Sequence, residues 1–304
     1  MRKVFSTSLF AAATLLLEAG CHRAPIVEKP RALVALFTVA GRQDTQLIAE
    51  GARLQLSEYG IDTATQEAAS FEAFANAFKD ALARVPTVAV FPNASPEAGK
   101  TLADAAYSYS VRSLLIGTDS PISPRTEHLG PDIEGLARRI VAESNALVPG
   151  ARRLVLFARG ACLLDVDALL FHTERSALDK RMAVALITNT PPPPREPNTV
   201  VVAVGPEAAE TPSAALIVDG GEKGLQRVRG GSAAVALEPN WFQAGVRAAR
   251  MIREAVGTGW LGPKRGPVSV DRVTKANLDS YLAKRKVLPP PDPPRVSPDL
   301  ESGT

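Results

Sequence analysis

Short apolar runs alternate along the chain with segments whose apolar positions recur every third or fourth residue. The run Ala32 to Val39, bounded by Gly41, is too short for a core helix and predicts a strand covered on both faces. Leu47, Ile48, Ala52, Leu56 and Tyr59 then share one face of a helix that Gly60 ends. Between the two lies the loop Gly41-Arg42-Gln43-Asp44, where a strand's carboxyl end meets a helix's amino end and unpaired N–H groups converge. The alternation continues with strand Ile61–Thr65, helix Phe71–Ala83 with Ser70 as its cap, and strand Thr87–Phe91. Ser95-Pro96-Glu97 supplies a cap, a first-turn proline and a first-turn acid for a helix reaching about Tyr109; strand Ser113–Gly117 then ends in Thr118-Asp119-Ser120.

The polar stretch Pro121 to Gly130 interrupts this pattern, which then restarts. Helix 132–147, strand Arg153–Ala158, helix Asp165–Asp179 and strand Met182–Thr188 lead to further strands at Thr199–Val204 and Ala214–Val218. The last of these ends in Asp219-Gly220-Gly221. A short helix over 222–229, strand Ala233–Leu237, a capping box at Asn240 to Gln243 opening a helix to about Val256, strand Val268–Val273 and a closing helix carrying Leu278, Tyr281 and Leu282 complete the chain. Repeated strand and crossover helix predict parallel, doubly wound α/β sheets, and the count suits two Rossmann-like lobes better than one large sheet.

Composition adds limits. The formal charge of +3 is small and the basic residues are scattered, which speaks against nucleic-acid binding. The 45% hydrophobic and 22% charged fractions are ordinary for a globular protein. Arg2 and Lys3 followed by the apolar run Val4 to Leu17 read as an export signal over 1–20, and Ala19-Gly20 precedes Cys21. This start resembles a bacterial lipoprotein signal, with Glu18 standing where that pattern carries an aliphatic residue; the resemblance implies lipidation at Cys21 and a membrane-anchored, periplasmic or cell-envelope location. Residues 21–31 then act as a tether. Beyond Cys21 the sequence holds one further cysteine, Cys162, so no intrachain disulfide is expected in the exported chain. Of the 25 prolines, several cluster at Pro191 to Pro194 and in the tail over 285–304, which is too poor in apolar residues to pack.

Residues 32–284 resemble the type I periplasmic solute-binding proteins, the ribose-binding group of sugar ABC transporters in particular, whose binding domain is LacI-like. The resemblance is carried by the opening unit with its helix glycine in Ala49-Glu50-Gly51-Ala52, by FPNASPEAG at 91–99, IGTD at 116–119, IVDGG at 217–221 and VTKANLDSYL at 273–282. It implies two lobes joined by a hinge, lobe 1 at about 32–122 and 240–264 and lobe 2 at about 130–238 and 265–284. It also implies capture of a small polar solute, by family default a sugar, in the interlobe cleft for an ABC transporter permease. The candidate ligand-binding residues are Arg42, Asp44, Asn93, Asp119, Asp219 and Glu238, with Asp119 and Asp219 expected to face each other across the cleft. Carboxylates suit that task because each accepts two hydrogen bonds from vicinal hydroxyls. As strand-end aspartates they equally suit turns and helix caps.

Departures from the family pattern bear on the ligand. Asp44 and Thr45 stand where the ribose-binding group carries two sugar-stacking aromatics, and the position of its second-lobe arginine falls near Asp165 to Asp167. Its glutamine before the last crossover gives way to Glu238-Pro239, and little chain remains for a helix between Val204 and Ala214. Arg42 admits an anionic ligand through its planar fork, or a plain solvent-facing role. Trp241 and Phe242 admit either a stacking face or core packing. These departures leave a second reading open, a sensory or interaction lipoprotein that keeps the fold with an altered or lost ligand site. An enzyme is not expected. Cys162, His172 and Asp167 sit in no nucleophile motif, the three histidines lack metal-ligand spacing, and no cofactor-binding motif occurs.

Overall fold

The computed structural model describes residues 33–84, 86–124, 127–188, 194, 196–258 and 267–288. The export signal, Cys21, the tether and the tail beyond Leu288 lie outside these residues. The first half runs β1 (Leu33–Val39), α1 (Gln43–Glu58), β2 (Asp62–Ala68), α2 (Phe74–Leu82), β3 (Val88–Asn93), α3 (Pro96–Ser108), β4 (Arg112–Gly117) and β5 (Glu127–Leu129). Its strands form one parallel sheet in the order β2-β1-β3-β4-β5. The second half runs α4 (Ile133–Leu147), β6 (Arg153–Ala158), α5 (Val166–Ala177), β7 (Ala183–Thr188), β8 (Thr199–Val204), β9 (Leu216–Val218), α6 (Gly221–Gly230), β10 (Val235–Pro239), α7 (Trp241–Thr258), β11 (Val270–Val273) and α8 (Leu278–Lys284). Its sheet order is β7-β6-β8-β9-β10-β11, parallel except for β11.

Renumbered from their own first strands, both sheets start 2-1-3-4-5. Each therefore reverses winding beside its first strand, and the loops leaving β1 and β6 open at these switch points, where doubly wound sheets collect ligands. The continuous apolar strands predicted from the sequence are buried on both faces: Val34 to Phe37 are at most 1% exposed. Under the first sheet Phe37 stacks on Phe91 at 4.5 Å between ring centroids, and Phe74 and Phe78 meet the pair edge-on or tilted.

Two local readings differ from the sequence expectation. The second helix begins at Phe74, not Phe71, and Ser70 does not cap it; the Ser70 hydroxyl bonds the Glu72 carboxylate while Phe71 turns inward. The polar stretch before Gly130 contains β5, recruited by backbone pairing to β4 rather than by any apolar pattern of its own. The cap at Ser95 forms as expected, its Oγ accepting from the Ala98 N–H at 3.1 Å. Ser95→Ala is expected to cost about 1 kcal/mol in a denaturation titration, the usual loss of an N-cap.

Three segments pass between the halves and lie side by side. The Val268 N–H donates to the Gly130 carbonyl at 2.8 Å, next to a bridge between Pro131 and Val268, and the Asn240 N–H donates to the Ser269 carbonyl at 2.8 Å. The second passage returns the chain to the first lobe, where α7 packs along α1, and the third returns it to the second lobe, where β11 pairs with β10. Past α8, residues 285–288 keep contacts with the first lobe through Lys286 and Val287. The Val287 carbonyl accepts from Gln243 Nε2 at 2.7 Å, and Lys286 pairs with Glu50 at 2.7 Å.

Candidate functional site in the interlobe cleft

Loops from both switch points meet across the cleft and frame two cavities. The larger, about 500 Å³, lies between Ser95, Glu97 and Thr118 of the first lobe and Gly160, Asp165, Asp167 and Thr188 of the second. The smaller, about 180 Å³, lies between the Arg42 to Asp44 loop and a wall built from Asp219 to Lys223, Glu238, Tyr281 and Arg285.

Arg42 lines the smaller cavity and not the larger. Its Nε and Nη2 bond Asp44 Oδ1 and Oδ2 at 3.1 and 2.5 Å, its Nη1 reaches the Ala161 carbonyl of the other lobe at 2.5 Å, and its guanidinium lies 5.2 Å from the Phe71 ring centroid. The side chain is 12% exposed, so the solvent-facing alternative is excluded by its packing. Asp44, within the first turn of α1, spends both carboxylate oxygens on this fork.

Asp219 ends β9 in a left-handed conformation, φ 53°, which Asp tolerates and which turns the chain into α6. It is 1% exposed. Its Oδ1 accepts from Trp241 Nε1 at 2.7 Å across the lobes, and its Oδ2 lies 3.5 Å from the Cys162 thiol. Trp241 therefore presents its N–H, not a stacking face, while Phe242 is core. Glu238, at the end of β10, accepts from the Gly220 and Gly221 N–H groups at 3.1 and 3.2 Å, closing the amino end of α6 from within.

These groups set one another's ionisation. Burial, reinforced by the charge of Asp44, pushes the Asp219 carboxyl up to about 7, against the Trp241 N–H and the Arg42 charge that hold it down. Burial and then Asp219 raise Glu238 well above the usual carboxylate range in spite of its two N–H bonds. The Cys162 thiol is likewise raised, by burial and then by Asp219, which disfavours the thiolate. For Arg42 the bonds and charge of Asp44 outweigh the burial that would lower it, and the guanidinium stays charged. The floor of the cleft thus sets the Arg42–Asp44 pair beside two buried acids, Asp219 and Glu238, whose surroundings favour the protonated form.

The other two candidates lie elsewhere. Asn93, at the end of β3, donates from Nδ2 to the Thr118 carbonyl at 2.7 Å and braces the neighbouring strand end. Asp119 accepts from the Ser120 N–H at 2.7 Å and sits 3.8 Å from His128 Nδ1; it lines neither cavity, and no contact joins it to Asp219 among the described residues. The expected facing pair does not form, because Asp119 turns toward the β4–β5 connection while Asp219 turns down onto Trp241. The Cys162 sulfur meets Asp219 and the Leu164 N–H, and no hydrogen bond joins it to His172 or Asp167 among the described residues. Sequence reasoning missed Phe71 and the Ala161 carbonyl. Phe71 carries the weak signal of an aromatic just past a strand, whereas a backbone carbonyl carries none.

Two lobes of matching strand order, three adjacent crossovers and loops converging on one cleft characterise a known architecture. A periplasmic ribose ABC transporter protein from Conexibacter woesei superposes with a TM-score of 0.67 over 83% of this chain and 94% of its own, at 14% identity. The fold is that of the type I periplasmic binding proteins. A solute-binding protein from Burkholderia graminis in complex with D-arabinose matches with a TM-score of 0.65 at 15% identity, over 83% and 98% of the two chains. The arabinose-binding protein AraP from Geobacillus stearothermophilus matches with a TM-score of 0.66 at 14% identity, over 83% and 99%. No protein-family model and no curated protein matches the sequence. Within the type I frame, the Arg42 fork lies where strand-end loops of both lobes meet.

Proposed function

We propose that the chain is an extracytoplasmic solute-binding protein that captures a small polar solute, by likeness a sugar, between its lobes for an ABC transporter permease. Lipid at Cys21 would hold it at the membrane. The observation that carries this reading is the 500 Å³ cavity walled by both lobes, a volume in the range of small-molecule sites. Hydroxyls of Ser95, Thr118 and Thr188 and carboxylates of Glu97, Asp165 and Asp167 line it, and no Lys, Arg or His does so among the described residues. Such a lining accepts and donates hydrogen bonds to a polyol and repels an anion, so neutral sugars are favoured over sugar acids. Binding and closure suffice for this role, and no residue is assigned a catalytic step.

The test is thermal unfolding with a panel of neutral sugars and sugar acids. A solute at a hundred times its Kd stabilises by about 2.7 kcal/mol, which for a protein of this size raises Tm by roughly 5–10 °C. Thr118→Val and Asp167→Asn are expected to shrink the rise. A panel without a single shift overturns the reading. The second reading, a sensory or interaction lipoprotein, is favoured by one observation: Arg42 and Asp44 bond each other, and Asp219 and Glu238 are already bonded by Trp241 and by the Gly220 and Gly221 N–H groups, all within the chain. On that reading no solute shifts Tm, and cross-linking in cells recovers a membrane protein partner.

A further inference from the structure

We infer that the cleft floor is a guanidinium seat filled by the chain's own Arg42, which latches the two lobes together without help from a solute. The seat has the parts that recognise this group: a carboxylate taking both prongs of the fork, a carbonyl taking the third N–H direction, and an aromatic face. These parts come from separate places. Asp44 and Phe71 belong to the first lobe, and the Ala161 carbonyl belongs to the loop after β6 in the second. One side chain therefore spans the cleft, and opening the lobes would strip a buried charge of a partner it cannot replace at once. The loop after β6 is held a second time, since Thr118 Oγ1 donates to the Leu163 carbonyl at 3.3 Å. Arg42 also stands within the field of Asp219, which Trp241 ties to the first lobe.

The latch is separable from solute capture, because Arg42 does not line the larger cavity. Its consequence is that the closed form exists in the unliganded chain, where a partner can read it. The measurement is small-angle X-ray scattering of the full chain, with methylguanidine as the probe. Wild type is expected to give one radius of gyration, unmoved by methylguanidine. Arg42→Ala is expected to give a larger radius that returns toward the wild-type value as methylguanidine fills the vacated seat, while methylamine, equally charged without the fork, restores nothing. Arg42→Lys keeps the charge and guards against a variant that fails to fold; it is expected to be more open than wild type. The latch is overturned if either folded variant keeps the wild-type radius, or if methylamine restores Arg42→Ala as well as methylguanidine does. A wild-type chain that binds a sugar while Arg42→Ala stays compact would refute the latch and leave solute capture standing. A latch that responds as described, with no sugar shifting Tm, would do the reverse.

Discussion

Gly245→Ala is expected to destabilise the protein by on the order of 3 kcal/mol, the upper range for forcing extra atoms into a packed core. Helices α1 and α7 run against each other with backbone nearly touching backbone, and Gly51 and Gly245 make the approach possible. A Cβ on Gly245 would stand 2.0 Å from the Ile48 carbonyl oxygen and 2.8 Å from the Ala52 nitrogen, and one on Gly51 would stand 2.2 Å from the Phe242 carbonyl oxygen. Neither obstacle is a side chain that could rotate away, so the helices must part. Parting them also shifts Trp241, at the start of α7, off Asp219. Gly230→Ala is the control: it lies at the end of α6 with nothing within 4 Å of the added atom, and is expected to be neutral or stabilising by up to about 1 kcal/mol. Urea titrations of both variants decide the point. Equal midpoints for the two would mean that the close approach does not govern stability.

Asp219→Asn is expected to flatten the pH dependence of stability between about pH 4 and 7. An unfolded Asp219 gives up its proton near pH 3.8, whereas the folded one keeps it to about 7. Across that window the folded state holds more protons than the unfolded state, so raising the pH favours unfolding. The stabilisation is complete below pH 3.8 and is lost as pH rises through 7. The slope for one proton is at most about 1.4 kcal/mol per pH unit. Asn retains the acceptor for Trp241 and tolerates the left-handed backbone, so the variant removes the titration while sparing the geometry. Glu238, also raised by burial, contributes a downward trend of the same sign, and adding Glu238→Gln is expected to remove that part. Urea midpoints at pH 4.5, 6 and 7.5 for wild type and both variants test this. Parallel profiles would show that Asp219 ionises in the fold at its ordinary pH.

Much of the fold was legible in the chain because burial on both faces of a parallel sheet writes itself as continuous apolar runs. Val34 to Phe37, Val88 to Phe91 and Val200 to Val204 are strands for that reason. Caps were legible where a side chain bonds its own helix, as at Ser95 and Asn240. Ser70 and β5 were not, because one was drawn to Glu72 and the other is held only by its neighbour strand.

The candidate site divides the same way. Local sequence pattern determined that Arg42, Asp44, Asp219 and Glu238 would stand at strand ends or helix starts, because strand length and turn residues set those positions. Only the tertiary structure decided their partners. Arg42 meets Ala161 across 119 residues of chain, which depends on how two sheets are set against each other, and Asp219 meets Cys162 across 57, which depends on the strand order within the second sheet; no local periodicity encodes either. Asp119, with the same strand-end signature as Asp219, was turned away from the cavities by the connection that follows it. The sequence by itself determined the two-lobed frame through burial; the packing of the lobes decided which charges neutralise one another and which cavity remains between them.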